Sequence, residues 1–209
     1  MRYKMKILIG CEVSGIVRDA FIKKGHEAYS CDIEDADIPL INCNVKYHLK
    51  GDVRNYLYNG WDMGLFFPPC TDLSVAGANL WEEKKKDGRQ QKAIEFVSTL
   101  YNSPIPKICI ENPVGILSTV WRKPDQIIHP YYFDEPYKKR TCLWLKGLPL
   151  LKPTNIIKPL YHWTDNNSRG GRLKDGTRRK SDLLGLHRSA KARSMSFSGV
   201  GDAMADQWG

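Results

Sequence analysis

The stretch that decides the fold is KILIGCEVSGIVRDAFIKKG, residues 6–25, near the amino terminus of the printed sequence. The apolar run Lys6–Gly10 predicts a buried strand, and Gly10–Gly15 predicts a tight loop after it. Apolar residues at helical spacing then predict a helix over Ile16–Lys24, which ends at Gly25 because glycine readily adopts the left-handed conformation that closes a helix. A strand, a loop and a helix in this order predict the start of an α/β fold.

The same alternation continues along the chain. Further strands are predicted over Glu27–Cys31, Val45–Gly51, Trp61–Phe67, Lys107–Ile110 and Thr141–Leu145, and helices over Arg89–Tyr101 and Phe197–Trp208. Strands that alternate with helices indicate a doubly wound, mostly parallel sheet of the Rossmann-like type. Ligands bind such sheets outside the carboxyl ends of the strands, which is where Asp32, Asp52, Cys70 and Glu111 fall.

Composition excludes several classes of protein. Of the 209 residues, 42% are hydrophobic and 26% charged, which is typical of a folded soluble chain. No apolar run approaches the roughly 20 residues that span a bilayer, and no secretory signal is evident, so we expect a cytoplasmic protein (in the host's cytoplasm if the chain is viral) with reduced thiols. Neither the six cysteines nor the five histidines show metal-ligand spacing, so no metal site is predicted.

Charge points to a polyanionic partner, with nucleic acid as the leading candidate. Lys and Arg number 32 against 23 Asp and Glu, a net charge of +9. The range 169–193 contains nine Lys or Arg and two Asp, so most of the excess lies there. The residues expected to contact phosphates are Arg169, Arg172, Lys174, Arg178, Arg179, Lys180 and Arg188. A solvated loop would carry the same charge pattern, and His162 and Trp163 beside it could stack on bases or cap a small apolar cluster.

The apolar pattern and the distribution of charge divide the chain into three predicted regions. Residues 1–150 are predicted to form the core, residues 151–192 a short basic recognition segment, and residues 193–209 a segment that folds back onto the core.

One motif carries candidate chemistry: FPPCTDLSVAG, residues 67–77. A cysteine that follows a strand on a rigid Pro-Pro turn has a fixed orientation at the ligand-binding edge of the sheet. Cys70 is therefore a candidate nucleophile, provided that nearby donors stabilise its thiolate. The alternative is a buried structural cysteine, which is the commoner role of the residue.

This stretch resembles motif IV of the cytosine-5 DNA methyltransferases, a Pro-Cys nucleophile loop followed by Ser and Ala-Gly. Other segments resemble motifs of that family in the family's order: residues 7–16, Asp32, Gly51-Asp52-Val53, Glu111-Asn112, Lys138-Lys139-Arg140 and Gly201-Asp202-Ala203-Met204. The resemblance implies the Rossmann-like fold of S-adenosylmethionine-dependent methyltransferases, with that cofactor bound and duplex DNA as substrate. The cofactor-binding positions it implies are Gly10, Cys11, Ser14, Gly15, Asp32, Ile33, Asp52, Val53, Pro69, Asp202 and Ala203.

The catalytic roles that the resemblance implies are chemically coherent. Carbon 5 of cytosine becomes enamine-like when a thiolate, here that of Cys70, adds to carbon 6. Glu111 would share a proton with the ring nitrogen, Arg140 would hold the ring carbonyl, and Asn112 would fix the loop. Taken singly, Glu111 could instead cap the following segment and Arg140 could form a surface ion pair. Asp32 and Asp52 could likewise be helix caps or loop acids.

The sequence also departs from the family pattern. Thr71 stands where Gln is usual, Asp202 replaces Asn, and the usual Phe-x-Gly-x-Gly loop is Gly10-Cys-Glu-Val-Ser14-Gly15. From the resemblance we predict a DNA cytosine-5 methyltransferase. Because of these departures we keep two alternatives. One is a catalytically silent nucleic-acid-binding protein with this fold, and the other is the same chemistry on single strands, RNA or free nucleotides.

Overall fold

A seven-stranded sheet organises the computed structural model, which describes residues 3–36, 47–162, 184–185 and 196–209. Its strands are β1 (Lys6–Gly10), β2 (Glu27–Asp32), β3 (His48–Lys50), β4 (Met63–Phe66), β5 (Lys107–Pro113), β6 (Gln126–Ile128) and β8 (Thr141–Lys146). They lie in the order β3-β2-β1-β4-β5-β8-β6. The first five are mutually parallel, whereas β8 runs antiparallel to both of its neighbours. The short strands β7 (Tyr137–Lys138), β9 (Tyr161–His162) and β10 (Leu184–Gly185) form a small parallel sheet of their own.

Helices connect the strands and cover the sheet. They are α1 (Ile16–Lys23), α2 (Trp81–Lys86), α3 (Arg89–Tyr101), α4 (Leu117–Val120) and α5 (Ser198–Trp208), with short 3-10 turns at Val53–Tyr56, Val75–Leu80 and Pro130–Tyr132. In the described part of the chain, no helix combines the length and the apolar character needed to cross a membrane.

The strands bury both of their faces because side chains alternate along a strand. Ile7 and Ile9 pack into one apolar cluster with α1 and α5, while Leu8 between them packs into a second cluster with α3. Helices therefore cover both sides of the sheet, and the predicted doubly wound, mostly parallel α/β fold is confirmed.

Helix α5 lies against α1 on the first of these faces. Met204 and Trp208 are buried in the core, and the Trp208 indole donates a hydrogen bond to the Pro149 carbonyl at 3.1 Å. Gly201 faces α1, where a Cβ atom would make ordinary contact with the Val17 Cα at 3.5 Å. The carboxyl-terminal helix thus contributes to the core of the sheet.

Two predicted features differ from the structure. Strand β5 does not end at Ile110 but continues through Pro113, because β8 pairs with it in antiparallel register as far as Pro113 and Thr141. Helix α1 also buries Arg18, which the apolar pattern alone does not predict. Its guanidinium donates to the Ser30 hydroxyl at 2.9 Å and pairs with Asp19, so the buried charge is satisfied.

The strand order identifies where a ligand would bind. From β1 the sheet continues to β2 and β3 on one side and to β4 and β5 on the other. The order in which the strands are added therefore reverses between β1 and β4. In open α/β sheets, ligands occupy the crevice at the carboxyl end of such a switch point. The loops after β1 and β4 flank that crevice.

Candidate active site

Cys70 occupies a tight turn four residues beyond the end of β4. Its carbonyl accepts hydrogen bonds from the backbone N–H groups of Leu73, at 3.1 Å, and Ser74, at 2.9 Å. The residue is partly exposed, in contrast to Cys31, whose thiol is buried and has a pKa raised by desolvation to about 12. Cys70 is thus not fully buried, and its role as a nucleophile stays a prediction.

The turn that carries Cys70 is bonded to the loop that follows β5. The Asn112 side chain donates to the Pro68 carbonyl at 2.8 Å from a fully buried position. The Ile116 N–H donates to the Leu73 carbonyl at 2.8 Å, and the Val75 N–H donates to the Val114 carbonyl at 3.0 Å. Residues 68–75 and 112–116 are thus joined as one unit, which we call the paired loops.

Gly115 makes the close approach of the paired loops possible. A Cβ atom at this position would lie 2.0 Å from the Leu73 carbonyl oxygen, well inside contact distance. Only a residue without a side chain fits there, because backbone faces backbone.

Lys84, on α2, secures the other end of the turn. Its side chain is 3% exposed, donates to the Thr71 carbonyl and lies 3.2 Å from a carboxylate oxygen of Asp72. Gln90 of α3 also donates to the Asp72 backbone carbonyl, at 3.3 Å. Sequence reasoning missed Lys84, because a lysine within the run Glu82–Lys86 has the pattern of a solvated helix face.

Glu111 lies within β5, opposite Leu143 of β8, so it does not cap a helix and that alternative is wrong. Its carboxylate is 3.6 Å from the ammonium of Lys139, and both side chains are largely buried. Arg140, predicted to serve the same site, is exposed and forms no ion pair with Glu111. The sequence contains three adjacent cations, Lys138, Lys139 and Arg140, and no signal that selects which one faces the carboxylate.

Glu111 and Lys139 line a cleft of about 420 Å³, a volume that includes the part open to solvent. Thr141 and Ser196 are its other polar lining residues, and the apolar lining comes from Val17, Phe67, Ile128, Pro130, Phe197 and Val200. Phe67 stands three residues before Cys70, and Val17 belongs to the first turn of α1. The cleft therefore lies between the residue that follows β4, the Glu111 position of β5, the start of α1 and α5.

The loop after β1 has an unusual backbone. Cys11 has a φ of 60° and Gly15 a φ of 70°, both in the left-handed region. The Cys11 N–H donates to the Cys31 carbonyl at 2.7 Å, which fixes the loop to the end of β2. Burial raises the pKa of the Cys11 thiol far above its usual range. The protonated thiol is therefore the favoured form of Cys11.

Glu12 is the least expected residue of that loop. It is 4% exposed, and its Oε1 accepts hydrogen bonds from the Ser14 hydroxyl at 2.8 Å and the Val17 N–H at 3.0 Å. Its Oε2 is also buried and has no hydrogen-bond partner among the described residues. Burial raises the pKa of this carboxyl. The signal that could have found it is an acidic residue inside an otherwise apolar, glycine-bounded loop.

The two acids predicted to bind a cofactor lie at the ends of β2 and just after β3. Asp32 accepts a hydrogen bond from the Glu34 N–H at 3.0 Å, and Asp52 caps a 3-10 turn by accepting from the Arg54 N–H at 2.9 Å. The Arg54 Nε lies 3.0 Å from both Asp52 oxygens, and this pairing lowers the pKa of Asp52. In this structure Asp52 therefore makes the contacts of a helix cap, as the alternative prediction proposed.

The remaining predicted cofactor residues divide by exposure. Ile33 is 73% exposed, and Pro69 and Asp202 are also exposed. The side chains of Val53 and Ala203 lie in the core, so only their backbone groups could meet a ligand.

The phosphate-contacting arginines and lysines predicted between Arg169 and Arg188 lie outside the described residues, as does Trp163. For His162 the structure describes the backbone, which belongs to β9.

No protein-family model and no curated protein sequence matches the chain. Two solved structures with a similar chain course are both methyltransferases by description. One is a DNA modification methyltransferase encoded within an E. coli prophage, at 14% identity and a TM-score of 0.47, with 78% of this chain and 54% of that chain covered. The other is the S. pombe Dnmt2 methyltransferase, at 13% identity and a TM-score of 0.49, with 91% and 62% covered. The chain thus spans less than two thirds of the length of either protein, and the chemistry proposed for it rests on its own geometry.

Proposed function

We propose that this chain is an S-adenosylmethionine-dependent methyltransferase that transfers a methyl group to carbon 5 of cytosine in DNA. The observation that carries the proposal is the bonding of the paired loops, in which the Asn112 side chain joins the strand of Glu111 to the Pro-Pro-Cys turn of Cys70. This bonding supports a site in which partly exposed Cys70 and the carboxyl group of Glu111 act together at one edge of the sheet, beside the switch point.

The residues then have distinct tasks. The Cys70 thiolate adds to carbon 6 of the ring, and Glu111 supplies a proton to ring nitrogen 3, so that carbon 5 becomes nucleophilic. After methyl transfer, loss of the carbon 5 proton to a base lets the Cys70–carbon 6 bond break, and Glu111 regains its proton. Aromaticity and the free thiolate are restored.

The cations beside Glu111 orient the ring. Lys139, 3.6 Å from the Glu111 carboxylate, is placed to hold the ring carbonyl next to the ring nitrogen. Arg140, at the exposed rim, would contact the target's phosphate or the ring carbonyl, and its role stays a prediction.

The loops after β1, β2 and β3 would hold the cofactor, which supplies a methyl group on a positively charged sulfur when bound. The residues present fit it. The loop from Gly10 to Gly15 lies at the switch point, one Asp32 oxygen accepts from the Glu34 N–H while the other would accept from ribose hydroxyls, and exposed Ile33 offers an apolar surface to a base. Asp52 would accept from the adenine amino group once Arg54 releases one of its oxygens.

Duplex DNA is the proposed partner, and the basic residues from Arg169 to Arg188 are the proposed phosphate contacts. The target cytosine has to leave the base stack, because inside a duplex Cys70 could not reach carbon 6 and Glu111 could not reach the base-paired nitrogen 3.

The test incubates the protein with methyl-labelled S-adenosylmethionine and duplex DNA, single-stranded DNA, RNA or cytidine nucleotides. We expect label at carbon 5 of cytosine in duplex DNA, abolished in Cys70→Ala and reduced at least 100-fold in Glu111→Gln. Glu95→Gln, the same change at an exposed position of α3, should retain wild-type activity.

A substrate that carries fluorine at carbon 5 provides a second readout. Fluorine cannot leave as a proton does, so the Cys70 adduct should persist as a complex stable to denaturing gels. Transfer to cytosine that survives Cys70→Ala would falsify the proposed mechanism. DNA binding without any cofactor binding would support the silent nucleic-acid-binding protein, and activity on single strands, RNA or nucleotides alone would support the alternative substrates.

A further inference from the structure

A chain of three side-chain hydrogen bonds links α1 to β2, to β3 and to the loop that follows β2. The Arg18 Nη1 lies 2.9 Å from the Ser30 Oγ, and the same Oγ lies 2.9 Å from the His48 Nδ1. The His48 Nε2 lies 3.0 Å from the backbone carbonyl oxygen of Glu34. Arg18 and Ser30 are 1% and 0% exposed, and His48 is half-buried. None of these residues belongs to the paired loops, so the chain needs an explanation of its own.

The direction of the chain follows from its two ends. The Arg18 guanidinium can only donate, so the Ser30 Oγ accepts from it, and the Glu34 carbonyl can only accept, so the His48 Nε2 carries a hydrogen. In a neutral imidazole the other ring nitrogen is then an acceptor, and the Ser30 hydroxyl donates to it. Each group therefore donates towards Glu34, and His48 has one defined tautomer.

The chain ends on the loop that contains two of the proposed cofactor contacts. Both backbone groups of Glu34 are bonded: its N–H donates to the Asp32 Oδ1 at 3.0 Å, and its carbonyl accepts from His48. The first contact is local to the loop, whereas the second attaches the loop to a neighbouring strand. The backbone beside Asp32 and Ile33 is therefore fixed from β3, while their side chains can still exchange contacts with a ligand.

Another contact between β3 and this loop is weaker in kind. The Lys50 Nζ lies 2.8 Å from the Asp35 Oδ2, but the two side chains are 59% and 81% exposed. Such ion pairs contribute little, because solvent screens the charges and both side chains lose freedom. His48 has a rigid ring and is half-buried, so we expect it to be the stronger of the two links.

The start of the chain lies beside the loop that follows β1. A Cβ atom at Gly15 would lie 2.2 Å from the Arg18 Nη2, so the guanidinium occupies the space that a side chain there would need. The same guanidinium pairs with Asp19 at 2.8 Å, which satisfies its charge. The chain therefore joins the loops after β1 and β2, both of which are proposed to hold the cofactor.

We propose that His48 is a positioning residue for the cofactor. Its Nε2–H holds the loop of Asp32 and Ile33 where the ribose and the base would bind, and Arg18 and Ser30 impose the tautomer that this contact requires. The inference rests on the proposed function, since it assumes that S-adenosylmethionine is the ligand of that loop. Loss of the contact should weaken cofactor binding and leave the chemical step unchanged.

Two substitutions of His48 separate positioning from a purely structural role. The amide of Gln reaches the place of the Nε2 and can donate to the Glu34 carbonyl, whereas the shorter Asn can accept from Ser30 but does not reach Glu34. We expect His48→Asn to bind S-adenosylhomocysteine about three- to tenfold more weakly, the effect of one hydrogen bond, and His48→Gln to stay within about twofold of wild type. A residue that only satisfied buried Ser30 would give the opposite order, because Asn retains that contact.

The measurement is titration calorimetry of the full chain at about pH 8, where imidazole is ordinarily neutral. Methylthioadenosine, which keeps the ribose and the base and lacks the amino-acid portion, should show the same loss in His48→Asn. In methyl transfer the loss should appear in KM for S-adenosylmethionine, with kcat unchanged. Lys50→Gln, which removes the exposed ion pair to the same loop, is the matched control and should bind as wild type does.

Nitrogen NMR of the histidine rings tests the tautomer in the free protein, without any ligand. We expect hydrogen on the Nε2 of His48 and none on its Nδ1. Hydrogen on Nδ1 alone would overturn the inference even if His48→Asn does not fold, because the Glu34 carbonyl would then have no donor in His48.

The outcomes separate this inference from the proposed function. Equal weakening of binding in His48→Asn and His48→Gln, or in His48→Asn and Lys50→Gln, would overturn the role of His48 alone. Failure of wild type to bind S-adenosylhomocysteine would overturn the proposed function together with that role. Cofactor binding that depends on His48 as described, without methyl transfer to cytosine, would refute the proposed reaction and support the positioning role.

Discussion

The two halves of the ligand-binding edge are built differently. After β4 and β5, the paired loops are bonded to each other, through Asn112 to Pro68 and through Ile116 to Leu73. After β2 and β3, the acidic side chains are bonded to their own segments, Asp32 to the Glu34 N–H and Asp52 to Arg54.

This difference separates a preorganised half from an adjustable one. Contacts between two loops fix the relative position of their side chains before any ligand arrives, which is what chemistry by Cys70 and Glu111 requires. Local contacts such as Asp52 to Arg54 can be exchanged for contacts to a ligand without moving the rest of the fold. Substitutions in the paired loops should therefore reduce turnover strongly, whereas those after β3 should alter binding slightly.

Gly115→Ala should give the largest effect. The new Cβ would meet the Leu73 carbonyl at 2.0 Å, so the paired loops must move apart. A displacement of about 1 Å can reduce a rate roughly 100-fold, and overpacking of this kind costs about 1–3 kcal/mol of stability. We expect both, measured by methyl transfer and by urea unfolding.

The control for this prediction is Gly201→Ala on α5, where the added Cβ would make ordinary contact with the Val17 Cα at 3.5 Å. Its unfolding free energy should be unchanged or up to about 1 kcal/mol higher, because alanine favours a helix over glycine. Equal activity and stability of Gly115→Ala and wild type would show that the paired loops are not fixed as described.

Lys84→Met should give an intermediate effect. The change leaves the Thr71 carbonyl and the Asp72 carboxylate without their buried partner, at a cost of about 1–3 kcal/mol. The turn of Cys70 should become mobile and expose its partly buried thiol more, so we expect about tenfold faster alkylation of Cys70 by iodoacetamide, followed by mass spectrometry across pH 6 to 9. Methyl transfer should fall by a similar factor.

Lys86→Met is the matched control, since Lys86 is exposed on the same helix. Only a residue that positions the turn should change the alkylation rate of Cys70, so the same rate in Lys84→Met and Lys86→Met would limit Lys84 to general stability.

The parts of the fold and of the candidate site that depend on local sequence pattern could be predicted from the sequence. Strands such as β1 and the helix α3 follow from periodicity, and α3 spans Arg89–Tyr101 in both the prediction and the structure. The position of Cys70 beyond the end of β4 also follows from the sequence, whereas Glu111, predicted just after its strand, lies within β5.

What could not be predicted depends on contacts between distant segments. The antiparallel β8 extends β5 past Glu111, the choice of Lys139 over Arg140 depends on how the chain enters β8, and the burial of Lys84 depends on α2 packing beside the turn of Cys70. In each case a charged residue has the same local pattern whether it faces solvent or the site, so periodicity cannot decide.

Arg54→Gln should give the smallest effect and tests the adjustable half. At pH 7 we expect a loss of about 0.2–1 kcal/mol, since the pair with Asp52 is substantially exposed. Arg54 lowers the pKa of Asp52, so its contribution is complete above the unfolded value of about 3.9 and is lost as the pH falls through the lower, folded value. The two proteins should therefore converge in urea unfolding once the pH falls below that lowered, folded pKa of Asp52. If Arg54 competes with a ligand for Asp52, S-adenosylhomocysteine should bind Arg54→Gln a few-fold more tightly, whereas Arg89→Gln, also exposed and ion-paired, should bind it as wild type does. Weaker binding in Arg54→Gln would mean that Arg54 orients Asp52 for the ligand, and the loops after β3 would then be preorganised as well.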